Sequence, residues 1–103
     1  MKDIRITVVK NLLMEDLVKE YSVPGFGLCT KHQVGDEYLS KGGQMPLEFC
    51  EEAWAAIGRY AFALAHGAEG FWPGWIPERH LAVVSCNDGL RPVIFKMEVI
   101  DNS

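Results

Sequence analysis

Hydrophobic and polar positions alternate strictly at the beginning of the chain. Isoleucine or valine occupies positions 4, 6 and 8, and the residues between them point to the opposite face. This period of two predicts a half-buried β-strand over residues 3–10. The following apolar side chains, Met14, Leu17, Val18 and Tyr21, follow helical spacing and predict a helix of about two turns that ends at Pro24-Gly25.

The longest periodic segment predicts a helix over residues 47–66. Pro46 suits a first helical turn, and Gly67 stands where a C-terminal cap glycine is common. At 100° per residue most of the apolar side chains gather on one face, with Cys50 near the middle of that stripe. Phe62 falls on the polar side, so this helix leaves one aromatic ring without a place in the core.

Two β-rich runs close the chain, over residues 81–86 and 93–100, and the Asp88-Gly89 step between them predicts a β-hairpin. A turn and a short strand are expected over residues 34–40, and the glycines and prolines of residues 67–77 predict an irregular aromatic loop. The pattern therefore predicts one α+β domain over residues 1–103. Its architecture is a small, largely antiparallel β-sheet packed on one long α-helix, with the C-terminal β-hairpin at the end.

Length and composition narrow the class of protein. The chain has 103 residues, 49% of them hydrophobic and 23% charged, which is typical of one globular domain rather than of a disordered tail. Its formal net charge of -4 has the wrong sign for nucleic acid or anionic lipid. We therefore expect neither nucleic acid nor a membrane as a partner.

Cysteine usage and the N-terminus indicate the compartment. The first residues lack the apolar stretch of a secretory signal, and Cys29, Cys50 and Cys86 are odd in number without a close pair. These features favour a cytoplasmic protein with reduced thiols.

Cys50 is the candidate catalytic residue if the protein is an enzyme. The predicted helix places it in the first turn, where free backbone N–H groups and the helix dipole stabilise a thiolate. Against this, Glu48, Glu51 and Glu52 surround it, and a cysteine in an apolar stripe is commonly a core thiol. Both interpretations stay open.

The three cysteines also form a candidate metal set. Cys29, Cys50 and Cys86 could bind a soft metal such as zinc, and the two-residue gap between Cys29 and His32 is common in zinc ligand pairs. No second close pair exists, however, and a histidine in such a segment is more often a polar loop residue.

Asp88 and Arg91 flank the predicted hairpin turn. A fixed arginine there could bind the carboxylate or phosphate of a small anionic ligand through its two-pronged guanidinium. Alternatively, Asp88 caps its own turn and Arg91 simply pairs with it.

Trp54, Trp72 and Trp75 are the remaining ligand-binding candidates. Two of them lie within the aromatic loop, which could line a ligand site or anchor a protein partner. A small domain can equally use such rings to close its core. Phe62 adds an aromatic residue outside the stripe and favours an interface, with a homo-oligomer as one form.

Three blocks of sequence together resemble a family of small, uncharacterised prokaryotic single-domain proteins. The blocks are Val34-Gly35-Asp36-Glu37, the segment from Met45 to Trp54, and the segment from Cys86 to Phe95. The resemblance covers nearly the whole chain and implies a stand-alone domain with cysteines at the positions of Cys29, Cys50 and Cys86. It implies no particular reaction. Asn87 departs from the proline that the family carries after the last of these cysteines.

These observations leave two classes of function. One is a non-catalytic binding or accessory domain that uses the aromatic loop and Arg91; the other is a small thiol- or metal-dependent enzyme built around Cys50. In a two-layer domain the start of a helix can lie over the end of a strand. We therefore expect Cys50 and Cys86, with Cys29 as a candidate third member, to share a site with Asp88 and Arg91 at its rim.

Overall fold

The computed structural model describes residues 1–100, so the last three residues of the expected domain lie outside it. The strands are β1 (Asp3–Asn11), β2 (Glu37–Ser40), β3 (Leu81–Ser85) and β4 (Val93–Ile100), and the helices are α1 (Glu15–Tyr21) and α2 (Glu51–Ala65). The four strands form one sheet in the order β2-β1-β4-β3, and every neighbouring pair is antiparallel. The predicted α+β class with an antiparallel sheet is confirmed.

The core lies between one face of this sheet and α2. Ile4, Ile6 and Val8 of β1 are fully buried, as their alternation predicts, and Phe95 and Met97 of β4 continue the same face. Helix α2 covers them through five buried side chains, Ala53, Ile57, Ala61, Leu64 and Ala65. Burying apolar side chains on one face of each element is what holds the two layers together.

The start of α2 differs from its prediction. Residues before Glu51 form a turn: Phe49 donates its N–H to the Pro46 carbonyl at 3.3 Å, and Glu48 adopts a left-handed φ of 59°. A non-glycine residue in that conformation interrupts a right-handed helix. The turn carries the Phe49 ring into the core, where it is 4% exposed, and α2 begins afterwards.

A 3₁₀ turn at Lys41–Gly43, which the sequence pattern did not predict, follows β2 and packs against α2. Gly43 has a φ of 86°, and a Cβ atom built there would lie 2.8 Å from the Cα of Phe62. Only glycine fits this close approach without displacing the helix backbone.

The last two strands, β3 and β4, pair antiparallel and are joined by residues 86–92. Residues 67–77 contain neither helix nor strand, as expected. Within residues 1–100, no helix combines the length and the apolar character that crossing a membrane requires.

Candidate functional site

A cavity of about 280 Å³ lies where three parts of the chain meet. Its walls come from residues 29–32, from the beginning of α2 and from the segment between β3 and β4. Cys29, Cys50 and Cys86 all line it, as do Asp88 and Arg91. We call it the cysteine cavity. All three cysteines are free thiols and partly buried.

Cys50 is the N-cap of α2 rather than a residue of its first turn, which corrects the position expected from sequence. Its backbone is extended, its carbonyl accepts the first helical bond from Trp54 at 2.9 Å, and its side chain caps nothing. The first backbone N–H groups of α2 therefore have no side-chain acceptor at the N-cap. Glu52 and Ala53 of this turn line the cysteine cavity, so the positive end of the helix dipole lies at its wall.

Cys86 follows β3 at the point where the last two strands separate. Its N–H donates to the Val93 carbonyl at 3.1 Å, and Val93 in return donates its N–H to Cys86 Sγ at 3.3 Å. The cavity wall thus holds Cys86 through both its backbone and its side chain.

Cys29 lies in a loop without regular structure that Asn11 holds in place. The Asn11 side-chain amide donates to the carbonyls of Cys29, at 3.1 Å, and of His32, at 2.8 Å. Asn11 is the last residue of β1, so one side chain ties this cavity wall to the sheet. Sequence reasoning missed it, because a single asparagine at the end of a strand carries no pattern.

Asp88 and Arg91 form the local pair that sequence offered as the alternative to ligand binding. Asp88 Oδ1 accepts the backbone N–H groups of Leu90 at 2.8 Å and Arg91 at 3.2 Å, and Arg91 Nε lies 3.4 Å from Asp88 Oδ2. Burial opposes ionisation of Asp88, but these hydrogen bonds and the guanidinium charge outweigh it and lower its pKa. The charge of Arg91 is therefore partly balanced within its own turn.

Arg91 also reaches across to the loop before Cys29. Its guanidinium carbon lies 4.5 Å from the centre of the Phe26 ring, and its Nη1 lies 3.5 Å from the Gly27 carbonyl. Arg91 therefore connects the segment after β3 with the loop that carries Cys29, so two cavity walls depend on one side chain.

His32 is buried in the cavity wall, only 1% exposed, and not a polar loop residue on the surface. Its Nδ1 hydrogen-bonds with the Tyr38 hydroxyl at 2.9 Å, while its Nε2 has no partner among the described residues. Burial lowers the pKa of His32 and the Lys31 charge adds to this, while Asp36 opposes it. Burial likewise raises the pKa of Tyr38, with smaller contributions from Asp36, Cys29 and Cys50.

The other histidines stay away from the cysteine cavity. His66 stacks on Phe62 with 4.2 Å between ring centres, and His80 lies 3.4 Å from Glu69. His32 is thus the one histidine among residues 1–100 that lines the cavity.

The predicted metal set has no chelating geometry around it. In the part of the chain that the structure describes, no three side chains of histidine, cysteine, aspartate or glutamate are arranged to hold a metal ion. The three cysteines share the cavity, but among residues 1–100 they are not part of a metal-binding cluster.

The tryptophans lie outside the cysteine cavity. Trp54 packs edge-on to Phe49, with ring centres 5.8 Å apart, and Trp72 lines a separate groove beside β3. Trp75 stacks on Trp72 at 6.0 Å and is 76% exposed. The structure therefore brings Arg91 and Asp88 to the cysteines and leaves all three tryptophans elsewhere.

The chain was compared with protein-family models, with curated proteins and with solved structures, and none of these comparisons returned a match.

Proposed function

We propose that this protein is a small ligand-binding domain whose site is the cysteine cavity, and that its ligand is a small anion. The observation that carries the proposal is that Cys29, Cys50 and Cys86, far apart in sequence, line one cavity. Cysteines that only fill the core have no reason to gather at a single opening.

The size of the cysteine cavity limits the ligand. Small-molecule sites in proteins measure roughly 300 to 1,000 Å³, and this cavity of about 280 Å³ lies just below that range. The ligand is therefore a compact molecule, smaller than a nucleotide or a typical cofactor.

The charges around the cavity favour an anion. The positive end of α2 faces it without a side-chain cap, and Lys31 and Arg91 line it. Glu52 and Asp88 carry the opposing charges, but Asp88 is already held by Arg91 and two backbone N–H groups. Lys31 makes no ion pair with a carboxylate among residues 1–100, so its charge is free to meet a ligand.

Two alkylating reagents of the same reactivity class test this proposal. Iodoacetate carries a negative charge and iodoacetamide is neutral. The iodoacetate rate divided by the iodoacetamide rate at each cysteine therefore reports the electrostatic potential inside the cavity. We expect this ratio to be at least about threefold higher in the folded protein than in the same chain unfolded in urea. Mass spectrometry of the alkylated peptides assigns the rate of each cysteine.

Matched variants locate the charge. Lys31→Gln should lower the rate ratio, because it removes a cation from the cavity wall, whereas Lys10→Gln, an exposed lysine on β1, should leave it unchanged. An identical ratio in the folded and unfolded protein would remove the electrostatic basis of the proposal.

A thiol-dependent enzyme that uses Cys50 is the second candidate. What favours it is His32, which lines the same cavity and has a ring nitrogen without a partner. Because its pKa is lowered, His32 is neutral at pH 7 and can accept a proton from a thiol. For this candidate, the alkylation rate of Cys50 should fall in a Tyr38→Phe variant, which removes the hydroxyl that orients the imidazole. Unchanged Cys50 rates at every pH would count against it.

A further inference from the structure

A second cavity, of about 460 Å³, runs between α2 and β3. Ala55, Ala56, Arg59 and Tyr60 line it from the helix, Trp72 closes one side, and residues 83–85 of β3 form the other. It shares only Asn87 with the cysteine cavity, so it is a separate feature. We call it the β3 groove.

One side of the groove is an open sheet edge. Within residues 1–100, β3 is the last strand in the sheet and pairs only with β4. Cys86 donates its N–H to Val93, and Val99 donates to His80, which places the even-numbered residues in hydrogen-bonded pairs with β4. Because antiparallel pairs alternate, the backbone N–H and C=O groups of Leu81, Val83 and Ser85 point to the free edge.

The edge also lacks the residues that usually protect one. Exposed strands are commonly blocked by lysine, proline or a bulge, whereas Leu81–Ser85 reads Leu-Ala-Val-Val-Ser, and its register with β4 is regular throughout. Val83 is 44% exposed. This strand is therefore ready to accept another strand.

The helix side of the groove provides space and a single charge. Ala55 and Ala56 are small and leave room for side chains that enter from above, while Tyr60 and Trp72 form an aromatic wall with ring centres 5.4 Å apart. Among residues 1–100, Arg59 is the only charged residue that lines the groove. Its guanidinium lies over the Tyr60 ring at 5.0 Å and donates to the Tyr60 hydroxyl at 3.2 Å.

The charge indicates what the groove accepts. No carboxylate among residues 1–100 pairs with Arg59, although the chain as a whole carries a net charge of -4. A second copy that paired through its own β3 would bring the strand Leu81–Ser85, which contains no carboxylate. A strand from another protein with an acidic residue or a free C-terminus satisfies both the edge and the arginine.

We propose that the β3 groove binds an extended peptide that carries a carboxylate and adds to the sheet as a fifth strand. The peptide forms backbone hydrogen bonds with Leu81, Val83 and Ser85, alternate side chains enter the groove above Ala55 and Ala56, and the carboxylate pairs with Arg59. Strand addition of this kind draws affinity from backbone bonds and selectivity from the groove.

Amide hydrogen exchange tests the proposed backbone hydrogen bonds between the peptide and β3. The probe is a synthetic peptide, acetyl-Lys-Thr-Val-Thr-Val-Thr-Asp with a free C-terminus, added to the full chain. We expect exchange at the amides of Val83 and Ser85 to slow at least tenfold, while Ala82 and Val84, already bonded to β4, change little. Protection that appears without peptide and grows with protein concentration would identify a second copy as the occupant and overturn the proposal.

Paired variants test the two kinds of contact, with peptide binding measured by fluorescence anisotropy. Arg59→Gln should weaken binding at least fivefold, and Lys10→Gln should not. Val83→Pro removes an N–H that points away from β4, so the sheet should persist by circular dichroism while binding is lost; Val83→Thr keeps the N–H and should bind normally. Equal binding by Val83→Pro and Val83→Thr, or by the Arg59 variant and the native chain, would refute strand addition at this groove.

Discussion

Single side chains hold the wall of the cysteine cavity that carries Cys29. Asn11 donates to two carbonyls of that wall, and Arg91 contacts Phe26 and Gly27 just before it. Each such hydrogen bond contributes only about 0.5 to 1.5 kcal/mol. The wall that carries Cys29 is therefore tied to β1 and to the segment after β3 by these few side-chain contacts.

His32 should make stability depend on pH. Its pKa in the folded protein lies below the 6.5 of an unfolded chain, so the unfolded state binds more protons as the pH falls through that value. Stability is then lost on acidification, by at most about 1.4 kcal/mol between pH 7.5 and 5.5. Urea unfolding at pH 7.5 and at pH 5.5 measures this loss of stability.

The matched variants for this prediction are His32→Asn and His66→Asn. The first should remove most of the loss between pH 7.5 and 5.5, because the buried imidazole is gone; the second replaces an exposed ring and should keep it. A His32→Asn protein with the same pH dependence as the native chain would show that another group is responsible.

At the scale of elements, the segment between β2 and α2 determines where the helix begins. The 3₁₀ turn at Lys41–Gly43 and the left-handed Glu48 bring the chain around so that Cys50 caps α2 beside the cysteine cavity. Gly43 touches the backbone of α2 at Phe62 and so fixes the distance between turn and helix.

Substitution of Gly43 tests this contact. Gly43→Ala should destabilise the protein by roughly 2 to 5 kcal/mol, because about 1 to 2 comes from left-handed strain and the rest from overlap with the helix backbone. Gly42→Ala is the control: its φ is also positive, but its Cβ would meet only the flexible Met1 side chain, at 3.2 Å. Thermal and urea unfolding should show that Gly43→Ala is much less stable than Gly42→Ala. An equal loss of stability in the two variants would argue against the close contact.

The whole molecule is more extended than its length requires. Its radius of gyration is 14.6 Å, against about 13 Å for a compact chain of this size. Helix α1 contributes to this, since none of its residues is buried and Tyr21 is 75% exposed. The buried core thus lies between the sheet and α2, and the surface outside it carries several exposed apolar side chains.

Self-association through the exposed aromatic residues is the prediction at this scale. Phe62 is 59% and Trp75 76% exposed, so we expect light scattering at micromolar concentration to report a mass above the 11.5 kDa of one chain. Phe62→Ser or Trp75→Ser should return the mass to that of a monomer, whereas Leu47→Ser, at an exposed leucine elsewhere, should not. A native protein that scatters as a monomer throughout this range would contradict the prediction.

The sequence by itself determined the features that depend on local periodicity. Alternation in β1, the β-rich runs that became β3 and β4, and the helical stripe of α2 are all visible within short windows, because the side-chain period follows from backbone geometry. The start of α2 was predicted too early, since nothing local shows that Glu48 turns left-handed to place the Phe49 ring in the core.

Only the tertiary structure decided the site. That Cys29, Cys50 and Cys86 line one cavity depends on how a loop, a helix start and a strand end pack together, and no spacing along the chain encodes it. The roles of Asn11 and His32 were equally invisible, because a hydrogen bond between residues on different elements leaves no periodic signal. The open edge of β3 follows from the strand order, which is set by long-range pairing rather than by the residues of β3.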